Sequence, residues 1–197
     1  MSACIWAILV VVGGLFVCKL FYVCATAGAL PVTQGALFTS TASLRIESFL
    51  DAVPMNREEL FVDLGCGDGR VLRETRRRYG VKAKGFEVNI LAYCVARALS
   101  FRMKGVDIMW KDFWYVSLED AGVVFCYLFP DVMKRLAAKL EAELRQGARV
   151  VSCNFSIPGW RPIATVCPES ARHSDPIYVY RIPDSCPCRG SGHIQTN

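Results

Sequence analysis

Residues 61–69 read Phe-Val-Asp-Leu-Gly-Cys-Gly-Asp-Gly, and no other stretch limits so tightly what this chain can fold into. An apolar run, Leu60 to Val62, ends in an acid, Asp63, and then in Gly65, Gly67 and Gly69 at every second position. A short apolar run suits a strand buried on both faces of a parallel sheet. The glycines suit a turn where backbone must take positive φ or approach a ligand closely. A helix expected from Arg70 would aim its unpaired N–H groups back over that turn. The spacing is Gly-x-Gly-x-Gly, not the Gly-x-Gly-x-x-Gly of dinucleotide sites.

The remaining sequence alternates strands and helices. Strands are expected at Leu60–Asp63, Ala83–Glu87, Val106–Trp110, Gly122–Phe129 and Ala148–Cys153. Helices are expected at Thr41–Ala52, at Arg70–Tyr79 with a stop at Gly80, and from an Asn89 cap to Met103 with a stop at Gly105. A longer one, Asp131–Arg145, starts behind Pro130 and carries a stripe of Val132, Leu136, Leu140 and Leu144. Pro162–Val166 and Ile177–Ile182 are expected to close the sheet as a pair. This alternation implies an α/β fold, a doubly wound and mostly parallel Rossmann-like sheet with ligands at the strands' carboxyl ends.

Three acids fall at the ends of successive expected strands: Asp63, Glu87 and Asp112. In a doubly wound sheet those ends line one crevice. Glu87 follows Asp63 at about the interval where such folds place an acid that accepts both ribose hydroxyls, and a carboxylate can take two hydrogen bonds from a diol. Asp112 precedes Phe113 and Trp114, an acceptor for an exocyclic amine beside an aromatic face. With an acid ahead of the first glycine, the spacing points toward S-adenosyl-L-methionine rather than a pyrophosphate cofactor.

The N-terminus sets a different constraint. From Ala3 to Leu30 the sole charged residue is Lys19, and the run is long enough to cross a bilayer as a helix. It lacks the basic n-region of a signal peptide, although the small residues at Ala25–Ala29 resemble a cleavage site. The expectation is an uncleaved, single-pass anchor in residues 1–28, a linker at 29–40, a catalytic domain at 41–183 and a disordered tail at 184–197. Lys19 and Arg45 lie on the C-terminal side of the apolar run, which favours that side facing the cytoplasm. Ten cysteines show no paired metal-ligand spacing, so reduced thiols and no metal are expected. Arg70, Arg73, Arg76, Arg77, Arg78, Lys82 and Lys84 crowd one region but lack interleaved aromatics, which argues against nucleic acid and for a solvated face.

The patterns Asp-Leu-Gly-x-Gly-Asp-Gly, Gly-Phe-Glu-x-Asn and Asp-Phe-Trp resemble those of class I S-adenosylmethionine-dependent methyltransferases. More narrowly, the chain is similar to the membrane-anchored protein-lysine methyltransferases that include the ATP synthase c-subunit and adenine nucleotide translocase enzymes, and their bacterial relatives. The narrower likeness rests on the apolar N-terminus, a Pro/Thr-containing approach to the first helix, Gly147–Val150, Phe155 and Pro158–Trp160. It implies that Asp63, Gly65, Cys66, Gly67 and Gly69 cradle the methionine portion and ribose of S-adenosyl-L-methionine. It places Glu87 on the ribose hydroxyls with Asn89 beside it, and Asp112 and Phe113 on the adenine. Tyr127 to Pro130 occupy the acceptor pocket, where Tyr127, Phe129 and Trp160 are candidate aromatic walls. Tyr127, Asp131 and Asn154 are candidate catalytic residues, and Thr41 is a candidate cofactor contact.

The implied reaction is N-methylation of a lysine on a membrane protein, at the bacterial or mitochondrial inner membrane. Methylation of a membrane-soluble quinone or lipid, and non-catalytic cofactor binding, are the alternatives.

Overall fold

The computed structural model describes residue 6 and residues 11–19, 43–167 and 175–187. The chain divides into two compact units, Met1–Leu37 and Phe38–Asn197. In the first, residues 11–19 are helical. No described helix is long and apolar enough to cross a membrane. The expected anchor at Ala3–Tyr22 falls partly, and the 29–40 linker and Thr41 wholly, outside the described residues.

The second unit is built on a seven-stranded sheet of order β3-β2-β1-β4-β5-β7-β6. Its strands are β1 (Leu60–Leu64), β2 (Lys82–Glu87), β3 (Val106–Trp110), β4 (Ala121–Cys126), β5 (Arg149–Cys153), β6 (Ala164–Val166) and β7 (Ile177–Arg181). The first five run parallel, while β7 lies antiparallel to β5 and β6 antiparallel to β7. The helices are α1 (Ser43–Ala52), α2 (Arg70–Tyr79), α3 (Ile90–Ser100) and α4 (Pro130–Glu143).

Side-chain alternation along the strands splits the core in two. Phe61, Val123, Phe125, Val151 and Val179 face a cluster that takes Phe49 from α1, Leu72 from α2 and Ala96 from α3. Val62, Leu64, Val124, Val150 and Tyr180 face the other cluster, with Met133, Leu136 and Leu140 from α4. Phe49 sits over the sheet 5.1 Å from Phe125 and 6.1 Å from Phe61, ring centre to ring centre. Burying aromatic surface here stabilises the seating of α1.

Several ends differ from the sequence expectation. Strand β4 stops at Cys126 rather than Phe129, and Phe129, held extended at φ −72° and ψ 154° by Pro130 behind it, caps α4 instead. Helix α3 ends at Ser100, three residues short of Met103. The buried stripe of α4 runs through Met133, Leu136, Ala137 and Leu140, with Val132 only half-buried. Of the expected tail, residues 184–187 belong to the fold: Ser185 and Cys186 are buried, and the Ser185 carbonyl accepts from the Arg161 N–H at 3.0 Å. Residues 188–197 lie outside the described set.

Gly85 in β2 is fixed by close packing. A Cβ there would meet Leu72 Cδ1 at 2.4 Å and Cys66 Sγ at 2.7 Å, and both side chains are held in the core. Gly85→Ala should therefore destabilise the domain by about 1–3 kcal/mol, the range for an overpacked core. Urea unfolding should show a lower midpoint with an unchanged slope.

Candidate functional site

The carboxyl ends of β1, β2, β3, β4 and β5 lie side by side, with Leu64 opposite both Phe86 and Cys126, and Glu87 opposite Trp110. Between β1 and α2, Gly65, Gly67 and Gly69 take φ of 77°, 55° and 73°. Side chains rarely tolerate three such values in five residues, which explains the glycines. The N–H groups of Gly65 and Cys66 both donate to the Phe86 carbonyl at 3.0 Å.

Glu87 finishes the loop. One carboxylate oxygen accepts from Gly67 N at 2.8 Å and the other from Asn89 N at 2.8 Å. Each oxygen keeps a second lone pair, so the acid that braces the loop also retains acceptors for a diol. Asn89 turns its side chain to the N–H groups of Leu91 and Ala92 and caps α3. Cys66 directs its thiol into the core under the loop, so only its backbone faces outward, and burial pushes the thiol's pKa up.

Asp63 is buried. Burial, then the like charges of Glu87 and Asp68, holds its carboxyl well above the usual carboxylate range. Asp68 was not singled out from the sequence, yet it stands in the same loop. Burial works to raise it, but hydrogen bonds and charge from Arg70, with the charge of Arg73, outweigh that and hold it low. Arg70 Nη2 lies 2.8 Å from Asp68 Oδ2. A crevice in which burial, and then the neighbouring charge of Glu87, disfavours ionisation of Asp63 fits a positively charged ligand. S-adenosyl-L-methionine, with its sulfonium and ammonium, meets that requirement, and the glycine loop leaves backbone exposed at Gly65 to receive it.

Asp112 stands two residues past β3. Its side chain caps the 3-10 turn Phe113–Tyr115 by accepting from Trp114 N at 3.0 Å. Phe113 and Trp114 pack at 4.7 Å, and Arg135 from α4 stacks 4.0 Å over Trp114.

On the opposite wall, Tyr127 and Phe129 follow β4, with Phe129 39% exposed. Asp131 is exposed in the first turn of α4. Asn154 follows β5 at φ 71°, a left-handed conformation that asparagine tolerates, and its N–H donates to Pro176 O at 2.9 Å. Trp160 is not part of this wall. It is buried in the α4-side core, edge-on to Tyr180, with Nε1 donating to Glu141 at 2.7 Å.

Arg45 of α1 completes the wall and was not singled out as a site residue. It is buried, 2.6 Å from Asp175 and 5.3 Å from the Tyr127 ring centre. An arginine immediately before the apolar anchor Ile46 and one helical turn ahead of Phe49 was the available signal. The arginine-rich face expected on α2 is largely paired: Arg77 with Glu74, Arg78 with Asp51, and Arg76 with the carbonyls of Gly80 and Val81.

The family model for the ANTKMT methyltransferase domain matches residues 63–164. The chain is 33% identical over 160 residues to the adenine nucleotide translocase lysine N-methyltransferase of Mus musculus, covering 80% of this chain and 68% of that protein. It is 32% identical over 150 residues to a protein-lysine N-methyltransferase of Saccharolobus islandicus, covering 74% and 92%. Against the ATP synthase c-subunit lysine N-methyltransferase of Rattus norvegicus it is 31% identical over 159 residues, covering 79% and 69%. A solved RNA methyltransferase from Salinibacter ruber, in complex with S-adenosyl-L-homocysteine, superposes with a TM-score of 0.70 at 28% identity, covering 76% of this chain and 97% of that one.

Two outcomes follow from the acids. Asp63 titrates above its unfolded value of about 3.9, so the native state holds a proton that the unfolded chain has released. Stability of the cofactor-free protein should therefore fall as pH rises from about 4 toward the raised value. Asp63→Asn should remove that slope in chemical denaturation while weakening S-adenosyl-L-methionine in calorimetry. Glu87→Ala should orphan two backbone donors and lower both cofactor-free stability, by about 1–3 kcal/mol, and cofactor affinity.

Proposed function

This chain belongs to the ANTKMT methyltransferase domain family and is an S-adenosylmethionine-dependent methyltransferase, and we propose that it N-methylates a lysine side chain of a membrane protein. The observation that carries the reading is the crevice itself. An acid-lined glycine loop fitted to a cationic donor lies beside an aromatic and amide wall made by Tyr127, Phe129 and Asn154. The lysine methyltransferases among the relatives support the acceptor class.

When bound, the cofactor supplies an electrophilic methyl group, so the protein's work is to align the acceptor and exclude water. Asp63, Glu87 and the three glycines would hold the donor. Asp112 and Phe113 would flank its adenine. A lysine must lose its proton before it can attack, and an aromatic pocket of low dielectric lowers its pKa by disfavouring the ammonium. In this reading Tyr127 and Phe129 form that pocket, and Asn154 and Asp131 orient the amine; Asp131 is exposed in the first turn of α4 and Asn154 follows β5. Leu128 ties the two halves together, since its Cδ2 lies 3.4 Å from where a Cβ on Gly65 would stand.

The apolar N-terminal run supports an anchor that holds the catalytic unit at the cytoplasmic side of the bilayer. A linker of some ten residues reaches at most ~35 Å, which raises the effective concentration of membrane-embedded acceptors. Incubating the protein with membranes and isotope-labelled S-adenosyl-L-methionine should place label in protein, on lysine. Label in lipid extracts would favour the small-molecule alternative, and no label would favour a binding protein. Removing residues 1–28 should leave cofactor affinity intact and sharply reduce methylation of the membrane acceptor. Equal methylation by the truncated chain would refute the tether.

A further inference from the structure

We propose that the outer face of α3, with Trp110 beside it, is a docking surface for an anionic lipid bilayer. Helix α3 meets the sheet through small residues, Ala92, Ala96 and Ser100. Its other side is apolar and open: Ile90 is 45% exposed, Val95 44% and Leu99 57%, and Phe101 at the helix end reaches 84%. Trp110, 60% exposed, lies on the same side of the sheet, because β3 alternates and Ile108 packs in the cluster that holds Ala96. Its Nε1 donates to Val88 O at 3.0 Å and so joins it to the approach to α3. The strip runs from the mouth of the cofactor crevice along the ~16 Å of an eleven-residue helix. A continuous apolar surface of this kind marks an interaction site rather than scattered exposure.

Charge chooses the occupant. From Val88 to Val106 there is no acid, while Arg97, Arg102 and Lys104 are exposed among the apolar side chains. The first acid beyond them, Asp107, alternates to the opposite face of β3 and stands in register with Lys84. A second copy of the chain on this face would set cations against cations with nothing between them. A nucleic acid would use the cations but leave Val95 and Leu99 without a partner. A bilayer satisfies both: aliphatic and aromatic side chains enter the headgroup boundary while arginine and lysine meet anionic headgroups. Docked this way, the crevice end of α3 lies at the headgroup layer. This deepens the membrane-acceptor reading, on which it rests for its purpose but not for its test.

The test uses the full-length chain with p-benzoylphenylalanine in place of Phe101, irradiated with vesicles of phosphatidylcholine alone or mixed with phosphatidylserine. The expected product is a lipid adduct that increases with phosphatidylserine. It should fall about fivefold for each cation removed in Arg97→Gln, Arg102→Gln and Lys104→Gln variants carrying the probe. The same probe at Lys134, exposed on α4, should give little lipid adduct. A cross-link between two copies, a cross-link to residues 1–28 of the same chain, no adduct, or equal lipid labelling from both positions would each overturn the proposal. Methylation of membrane protein, followed in parallel without irradiation, reports separately on the acceptor. A lipid adduct at position 101 with no methylated lysine would leave the surface standing and refute the acceptor.

Discussion

The carboxylate of Glu87 organises this molecule. It ends β2, yet its two oxygens are used by neighbouring connections, Gly67 in the loop after β1 and Asn89 at the start of α3. Two crossovers that the chain forms separately are thereby fixed to one point. The bonds are charge-assisted and buried, so neither donor has a water to fall back on. The same geometry concentrates negative charge. Asp63 is buried near Glu87, and burial first, then the like charges of Glu87 and Asp68, holds its carboxyl well above the usual carboxylate range. The loop is thus held together by an acid, and a cation entering the crevice would favour the ionised form of Asp63.

The two walls of the crevice are built on different principles. The cofactor wall is backbone, set by three left-handed glycines and the strand register, and it tolerates little change. The other wall is side chain, drawn from segments far apart in sequence: Tyr127 after β4, Asn154 after β5, Arg45 from α1 and Asp175 before β7. Leu128, packed against Gly65, is the mechanical link between them. A fold arranged like this can keep its backbone loop while the side-chain wall varies.

The aromatic residues that follow β4 and β5 and the one on β7 divide between two tasks. Trp160 and Tyr180 serve the core, and each satisfies its polar atom within the protein, the indole N–H on Glu141 and the Tyr180 hydroxyl by accepting from the Ile157 N–H. Phe129 is left partly in solvent as the cap of α4, held extended ahead of Pro130. The exposed aromatic at the crevice thus follows from a backbone restriction.

The sequence by itself determined the strand–loop–helix at residues 60–79, the alternation that yields a parallel sheet, and the acids at the strand ends. These are local properties: glycine alone suits the left-handed turns, and apolar runs of four to six residues between glycine and proline stops suit buried strands. Tertiary structure decided what depends on a distant partner. Arg45 joined the side-chain wall only through Asp175 and Tyr127, and Trp160 was drawn into the core by α4. Residues 184–187 joined the fold because Arg161 and Arg181 supply backbone donors to Ser185. The stripe of α4 turned toward Met133 and Ala137 because a helix shows several apolar faces and the sheet selects one. Such outcomes turn on long-range packing and charge, to which a linear pattern gives no access.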